Sequence, residues 1–168
     1  MNILGIDPGL ASMGWAVLQN DKEKFILLAC GCLKTDKDKH FSSRLKSIFS
    51  EIEMLADKYD CSVLAVEELY FAKNVKTAIS VAQCLGVIKL AGEMLKLPVM
   101  EYTPLNVKMT ITGYGRAEKE QVELMVKKTL GIKGEIKPSH AADAVAIALT
   151  YCFTNNKLKY KTLSFRAK

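Results

Sequence analysis

A chain of 168 residues with 49% hydrophobic content has enough apolar mass for one domain with a substantial core and is too short for two ordinary ones. Its 24 basic against 18 acidic residues give a formal net charge of +6, which is compatible with a polyanionic partner such as nucleic acid. Nearly all the cations are lysines, however, with arginine only at Arg44, Arg116 and Arg166, and such a bias also arises from genome composition alone. No stretch approaches the roughly 18 apolar residues of a membrane helix, and the opening residues lack a charged-then-apolar leader pattern, so a soluble cytoplasmic chain is expected. The five cysteines, Cys30, Cys32, Cys61, Cys84 and Cys152, are odd in number and form no Cys-x-x-Cys. No second cluster completes a zinc site with Cys30 and Cys32, and the scatter favours buried free thiols in a reducing cytosol.

Asn2 to Asp7 reads as a buried strand, Ser12 to Gln19 as a second and Lys24 to Thr35 as a third, with turns at Pro8-Gly9 and Asn20-Asp21-Lys22. The three predict an antiparallel meander. Phe41, Leu45, Ile48, Phe49, Ile52, Leu55 and Ala56 then recur at helical spacing. "CSVLAVEELY" is a short apolar run ending in carboxylates, the pattern of a buried strand whose carboxyl end surfaces at Glu67 or Glu68.

A long helix is predicted over Asn74 to Leu95, rich in small residues including Gly86, Ala91 and Gly92, and "PVMEYTP" gives another strand. Thr103-Pro104 caps and opens a short helix. The glycine-punctuated "TGYGRAEKEQ" leads into a helix ending near Gly131. Pro138-Ser139 precedes "HAADAVAIALTYC", a helix of such small residues that it can lie very close to a sheet. Residues 1–153 are expected to form the domain and 154–168 a basic tail. The element order predicts an α/β fold with three antiparallel strands joined to parallel ones, a type of sheet that binds ligands at the carboxyl ends of its strands.

Asp7 ends the first strand, Glu67 the fourth, and His140 and Asp143 stand three apart on one face of the last helix. If the first and fourth strands are neighbours, these groups crowd, and like charges at such range repel unless a cation lies between them. Hard oxygen ligands of this kind suit Mg²⁺ or Mn²⁺. Each piece also has an ordinary reading. Asp-Pro-Gly is a common turn, Glu67-Glu68 can be a solvated strand end, and His-x-x-Asp can be a local hydrogen bond near a helix terminus.

"ILGIDPGL", "MGWAV", "AVEELYFAKN", "TGYGRAEKEQV" and "HAADAVAIA", in this order and at these separations, closely resemble the RuvC family of Holliday junction resolvases, the likeness running from about Asn2 to Phe153. The resemblance implies an RNase H-like fold with a five-stranded mixed sheet flanked by helices. It also implies a homodimer, and Mg²⁺-dependent cutting of two opposed strands of a four-way DNA junction in recombination and repair. Two ions per site, with Mn²⁺ as a substitute, and in-line attack of water leaving 5′-phosphate and 3′-hydroxyl ends belong to the same implication, as do branch-migration partners. By position the family's catalytic and metal-holding acids fall on Asp7, Glu67 and Asp143. His140 stands where members have aspartate or histidine. Glu68 is the substitute for Glu67 should the register differ by one. Lys108 and Lys119 match basic DNA-binding positions, Lys73, Lys76 and Arg116 lie in or beside the same motif loops, and Tyr70 matches an aromatic position at the junction point. Any one of these lysines also reads as solvated surface, and Tyr70 as an aromatic packed at a strand end.

Three other functions remain: a different RNase H-like nuclease trimming structured RNA, an actin- or sugar-kinase-like ATPase, and a non-catalytic DNA-binding module. The ATPase fold needs a second domain for which the chain has no room, and the intact acids argue against the third.

Overall fold

A computed structural model describes residues 1–21, 24–68 and 75–165, with side chains described except at 75–77 and 156–165. The strands are β1 (Asn2–Asp7), β2 (Ser12–Asp21), β3 (Lys24–Lys34), β4 (Cys61–Glu67) and β5 (Val99–Tyr102), and the helices are α1 (Phe41–Lys58), α2 (Val75–Met94), α3 (Pro104–Thr112), α4 (Lys119–Leu130) and α5 (Ser139–Phe165). Among the described residues no helix is long and apolar enough to cross a membrane.

The strands form one five-stranded sheet in the order β3-β2-β1-β4-β5. β1 pairs antiparallel with β2 and parallel with β4, so the first and fourth strands are neighbours. The meander is longer at its tip than the turn residues predict, because Asn20 pairs with Phe25 and Asp21 with Lys24, carrying the ladder into the expected turn.

Because strand side chains alternate, the apolar runs supply both faces. Ile3, Ala16, Leu18, Val63 and Ala65 pack with α3, α4 and α5. Leu4, Ile6, Val17, Leu64 and Val66 pack with α1 and α2. Parity therefore places Asp7 and Glu67 on the α5 side. Burying each Val, Leu or Ile contributes about 1.5–3 kcal/mol relative to exposure, so a register slip that reversed the faces would cost far more than any one residue.

α5 is the helix nearest the site. Ala141, Ala144, Val145, Ala148 and Leu149 are fully buried along it. Small side chains alone do not explain the closeness. A Cβ at Gly5 of β1 would collide with the carbonyl oxygen of Ala144 and the Cβ of Ala148, and one at Gly14 of β2 with the carbonyl oxygen of His140. These two glycines let the backbone of α5 rest on the sheet. The helix continues to Phe165, past the point near Thr154 where the apolar periodicity of the sequence fades.

The remaining ends follow their residues. Thr103 Oγ1 accepts from the backbone N–H of Asn106 at 3.1 Å, with Pro104 opening α3. Gly131 closes α4 at φ 66°, the left-handed conformation glycine adopts without strain. All five cysteines are free, with Cys61, Cys84 and Cys152 buried and Cys30 and Cys32 half-buried on β3.

Candidate active site

β1 and β4 run parallel with Ile6 beside Val66, so the next position on each strand sets Asp7 beside Glu67. Across the sheet Asp7 faces Gly14 of β2, the residue on which the His140 backbone rests. The glycine is thus what brings the first turn of α5 over the strand end. Sequence reasoning does not single out Gly14, because a glycine within a strand reads only as a weak spot. The available signal is its position opposite an acidic strand end together with an alanine-rich helix later in the chain.

The four groups converge. His140 Nδ1 lies 2.7 Å from Asp7 Oδ2, and ligand atoms of Asp7, His140 and Asp143 all fall within 4.8 Å of one another. Asp7, Glu67, Asp143, Val107, Lys108 and Lys119 line a cavity of about 300 Å³ at the carboxyl end of the sheet. Glu68 is exposed and takes a different position, its backbone N–H donating to the carbonyl of Tyr102 at 2.8 Å. Of the two adjacent carboxylates, Glu67 is the one that lines the cavity.

Burial drives the electrostatics. The Asp7 side chain is 15% exposed, and desolvation is the main reason its carboxyl is held above the ordinary range, with the Asp143 charge adding to it; the His140 hydrogen bond acts in the other direction. Glu67 is pushed up to about 7, first by burial and then by the charges of Asp7 and Asp143, against the opposing pull of Lys119 and Lys108. Burial and mutual repulsion together make these carboxylates costly to ionise, a cost that a cation placed between them would offset. Facing an ionised Asp7, His140 Nδ1 is the donor; in the neutral imidazole this leaves Nε2 as the acceptor nitrogen.

Lys119 Nζ is 2.5 Å from Asp143 Oδ2, with the two side chains 52% and 33% exposed. A lysine in the first turn of α4 opposes the helix dipole, so its position there answers to Asp143 and not to helix stability. Lys108 enters the cavity from α3. Arg116 is exposed in the loop before α4 and is not among the cavity's lining residues. Tyr70 and Lys73 lie outside the described residues, as does the side chain of Lys76.

The residue set fits a divalent cation: carboxylate oxygens from three acids, one imidazole nitrogen, and raised carboxyl pKa values that a cation would reverse. The family profile described as "Crossover junction endodeoxyribonuclease RuvC" matches residues 3–151. The chain belongs to the RuvC family. A RuvC from Fusobacterium nucleatum is 45% identical over 151 residues, covering 90% of this chain and 80% of that relative. One from Natranaerobius thermophilus is 44% identical, covering 90% and 94%. Among solved structures, Thermus thermophilus RuvC in complex with Holliday junction substrate is similar at a TM-score of 0.87 and 35% identity, over 92% of this chain and 94% of that one. The yeast mitochondrial Holliday junction resolvase Ydc2, at 16% identity and a TM-score of 0.70, shares the fold. The RNase H-like mixed sheet expected from the sequence is the architecture found, and RuvC proteins are nucleases that act on DNA.

Proposed function

We propose that this chain is a Holliday junction resolvase, binding four-way DNA and nicking two opposed strands symmetrically, with Asp7, Glu67, Asp143 and His140 as its catalytic and metal-holding groups. The observation that carries the reading is their convergence at one end of the sheet, beside Lys108 and Lys119, in a chain of the RuvC family.

Asp7, Glu67, Asp143 and His140 would hold Mg²⁺, two ions per site, with Mn²⁺ as a substitute. When bound, such ions would supply charge neutralisation and water activation for phosphodiester hydrolysis. The chain's own residues do the rest. Asp7 and Glu67 are fixed by rigid strand ends, which hold their carboxylates in place without relying on a loop. His140, its Nδ1 engaged by Asp7, offers Nε2 to hold a proton or a metal. Lys119 keeps Asp143 oriented, and Lys108 and Lys119 attract the phosphodiester into the cavity. Arg116, Lys73 and Lys76 are proposed phosphate contacts beyond it, and Tyr70 a stacking platform for a base at the junction centre.

The active unit is a symmetric homodimer, since two opposed strands need two sites related by a two-fold axis. α2 supports this reading: Ile79, Leu90 and Met94 are 56%, 54% and 63% exposed, and a Cβ at Gly86 between them would meet no described atom. Such an uncovered apolar stripe with a glycine at its middle suits close contact with a second copy. Branch-migration proteins acting on the same junction are the proposed partners.

Incubation with a synthetic four-way junction, with and without Mg²⁺, tests the reading. Paired nicks placed symmetrically across the junction, with duplex DNA and folded RNA left intact, are expected. Cleavage of folded RNA in preference to the junction would replace it with the RNA-trimming alternative.

A further inference from the structure

Beside His140 lies a second groove, of about 550 Å³, lined by Gly9, Leu10, Ser12, Arg44, Val81 and His140 among others. His140 lines this groove and its Nδ1 lies 2.7 Å from Asp7 Oδ2, so the groove opens directly beside the acids. The chemistry of the two differs sharply. Among the described residues no carboxylate lines the groove, and the one permanent charge there is Arg44, half-buried on α1.

Arg44 is held in place. Its Nε donates to Thr35 Oγ1 at 2.8 Å, Thr35 Oγ1 donates to the Leu10 carbonyl at 2.6 Å, and the Thr35 N–H donates to the Ala11 carbonyl at 3.1 Å. The guanidinium is thereby tied to the β1–β2 turn that follows Asp7. Using Nε as the anchor leaves the four N–H donors of the two Nη atoms, the pair of nitrogens whose fork matches a phosphate. Among the described residues no carboxylate lies within ion-pair distance of Arg44. In a chain whose cations are almost all lysines, an arginine at this position also indicates that fork geometry matters and not charge alone.

We propose that Arg44 binds a phosphate of the cleaved strand next to the scissile one, the groove between the β1–β2 turn and α2 guiding that strand past His140 into the acidic cavity. The inference rests on the junction-cleaving reading above and adds a positioning residue to it. Arg44 does not touch the reacting phosphorus; it sets the register of the strand upon the acids, so its loss slows cutting more than it weakens binding.

The test uses the full chain and synthetic junctions carrying a single neutral methylphosphonate at each position flanking the cut in turn. The wild type is expected to lose roughly tenfold in cleavage rate at one flanking position, as for removal of one charge-assisted contact. Arg44→Ala should be slower by a similar factor on the native junction and lose nothing further at that position, with Arg44→Lys intermediate and still coupled to the same phosphate. Losses that multiply at every flanking position would overturn the assignment and leave Arg44 as a structural clamp on the turn. So would a wild type indifferent to all the substitutions. Wild-type cutting of the native junction tests the functional reading separately, so the two cannot fail indistinguishably.

Discussion

The acidic site draws its members from two kinds of scaffold, and the two halves differ in more than sequence position. Asp7 and Glu67 end neighbouring parallel strands, largely buried, with their carboxyls lifted in pKa. His140 and Asp143 sit on the first turns of α5, 47% and 33% exposed, already in contact with Asp7 and Lys119 respectively. The strand pair is costly to ionise and fixed in space, while the helix pair is accessible and partnered. One half thus stores the demand for a cation, and the other sets what the cation and the substrate meet.

If that division holds, the strand pair should be the less tolerant. Asp7→Asn, which keeps shape and removes charge, is expected to reduce Mg²⁺-dependent cutting by roughly 10³-fold or more, since loss of several kcal/mol of charge stabilisation costs a factor of ten for each 1.4 kcal/mol. Junction binding in a gel-shift assay should persist, because cations supply most of the affinity. Cutting at close to the wild-type rate would sink the assignment of Asp7.

The link between the halves is breakable by a single carbon. Gly14→Ala forces either the first turn of α5 off the sheet or strain into it, for a cost of about 1–3 kcal/mol, and a displacement of the helix pair by about an ångström lowers activity by roughly 10²-fold. Gly134→Ala, where an added Cβ meets nothing, is the control and should change neither melting temperature nor rate.

Glu67 sharpens the comparison through stability. It ionises near 4.5 when unfolded and near about 7 when folded, so between these values the folded chain holds the extra proton. Its contribution is therefore fully present below the unfolded value and is lost as pH rises through the folded one. Glu67→Gln should raise the melting temperature by a few degrees at pH 8 in chelator while leaving it unchanged at pH 4, and should abolish cutting. Equal melting temperatures at both pH values would show that the carboxylate is not strained by burial.

For the helix pair the smallest effect is expected. His140→Asp should retain appreciable Mg²⁺-dependent cutting with an altered pH dependence, because either group can serve a metal but only an imidazole can hold a proton as a cation. An unchanged pH–rate profile would remove His140 from the chemistry.

Much of this was legible in the sequence, for identifiable reasons. The apolar run into Asp7 and that into Glu67 announce buried strands with acidic ends, and Thr103-Pro104 and Gly131 mark helix ends by local chemistry alone. Pairing of β1 with β4 was open, because strand adjacency depends on crossover connections that periodicity does not encode. The choice between Glu67 and Glu68 comes down to strand parity, which needs the register. The Lys119–Asp143 contact and the Leu10–Thr35–Arg44 tie join residues far apart in sequence or buried within ordinary-looking patterns, so neither leaves a local trace.

The seating of α5 on Gly5 and Gly14 makes the helix behave as a key cut for one lock. A one-residue slip in one direction would turn its side chains by about 100° and present Ala141 and Ala144 in place of His140 and Asp143, and in the other direction Ser139 and Ala142. Ordinary core packing resists such a slip gradually, one side chain at a time. Here the carbonyls of Ala144 and His140 sit in notches that only glycine leaves open, so the helix has a single indexed position. The spacing of the acids is thereby set by main chain against main chain, and a side chain at position 140 can change its chemistry without disturbing the gauge.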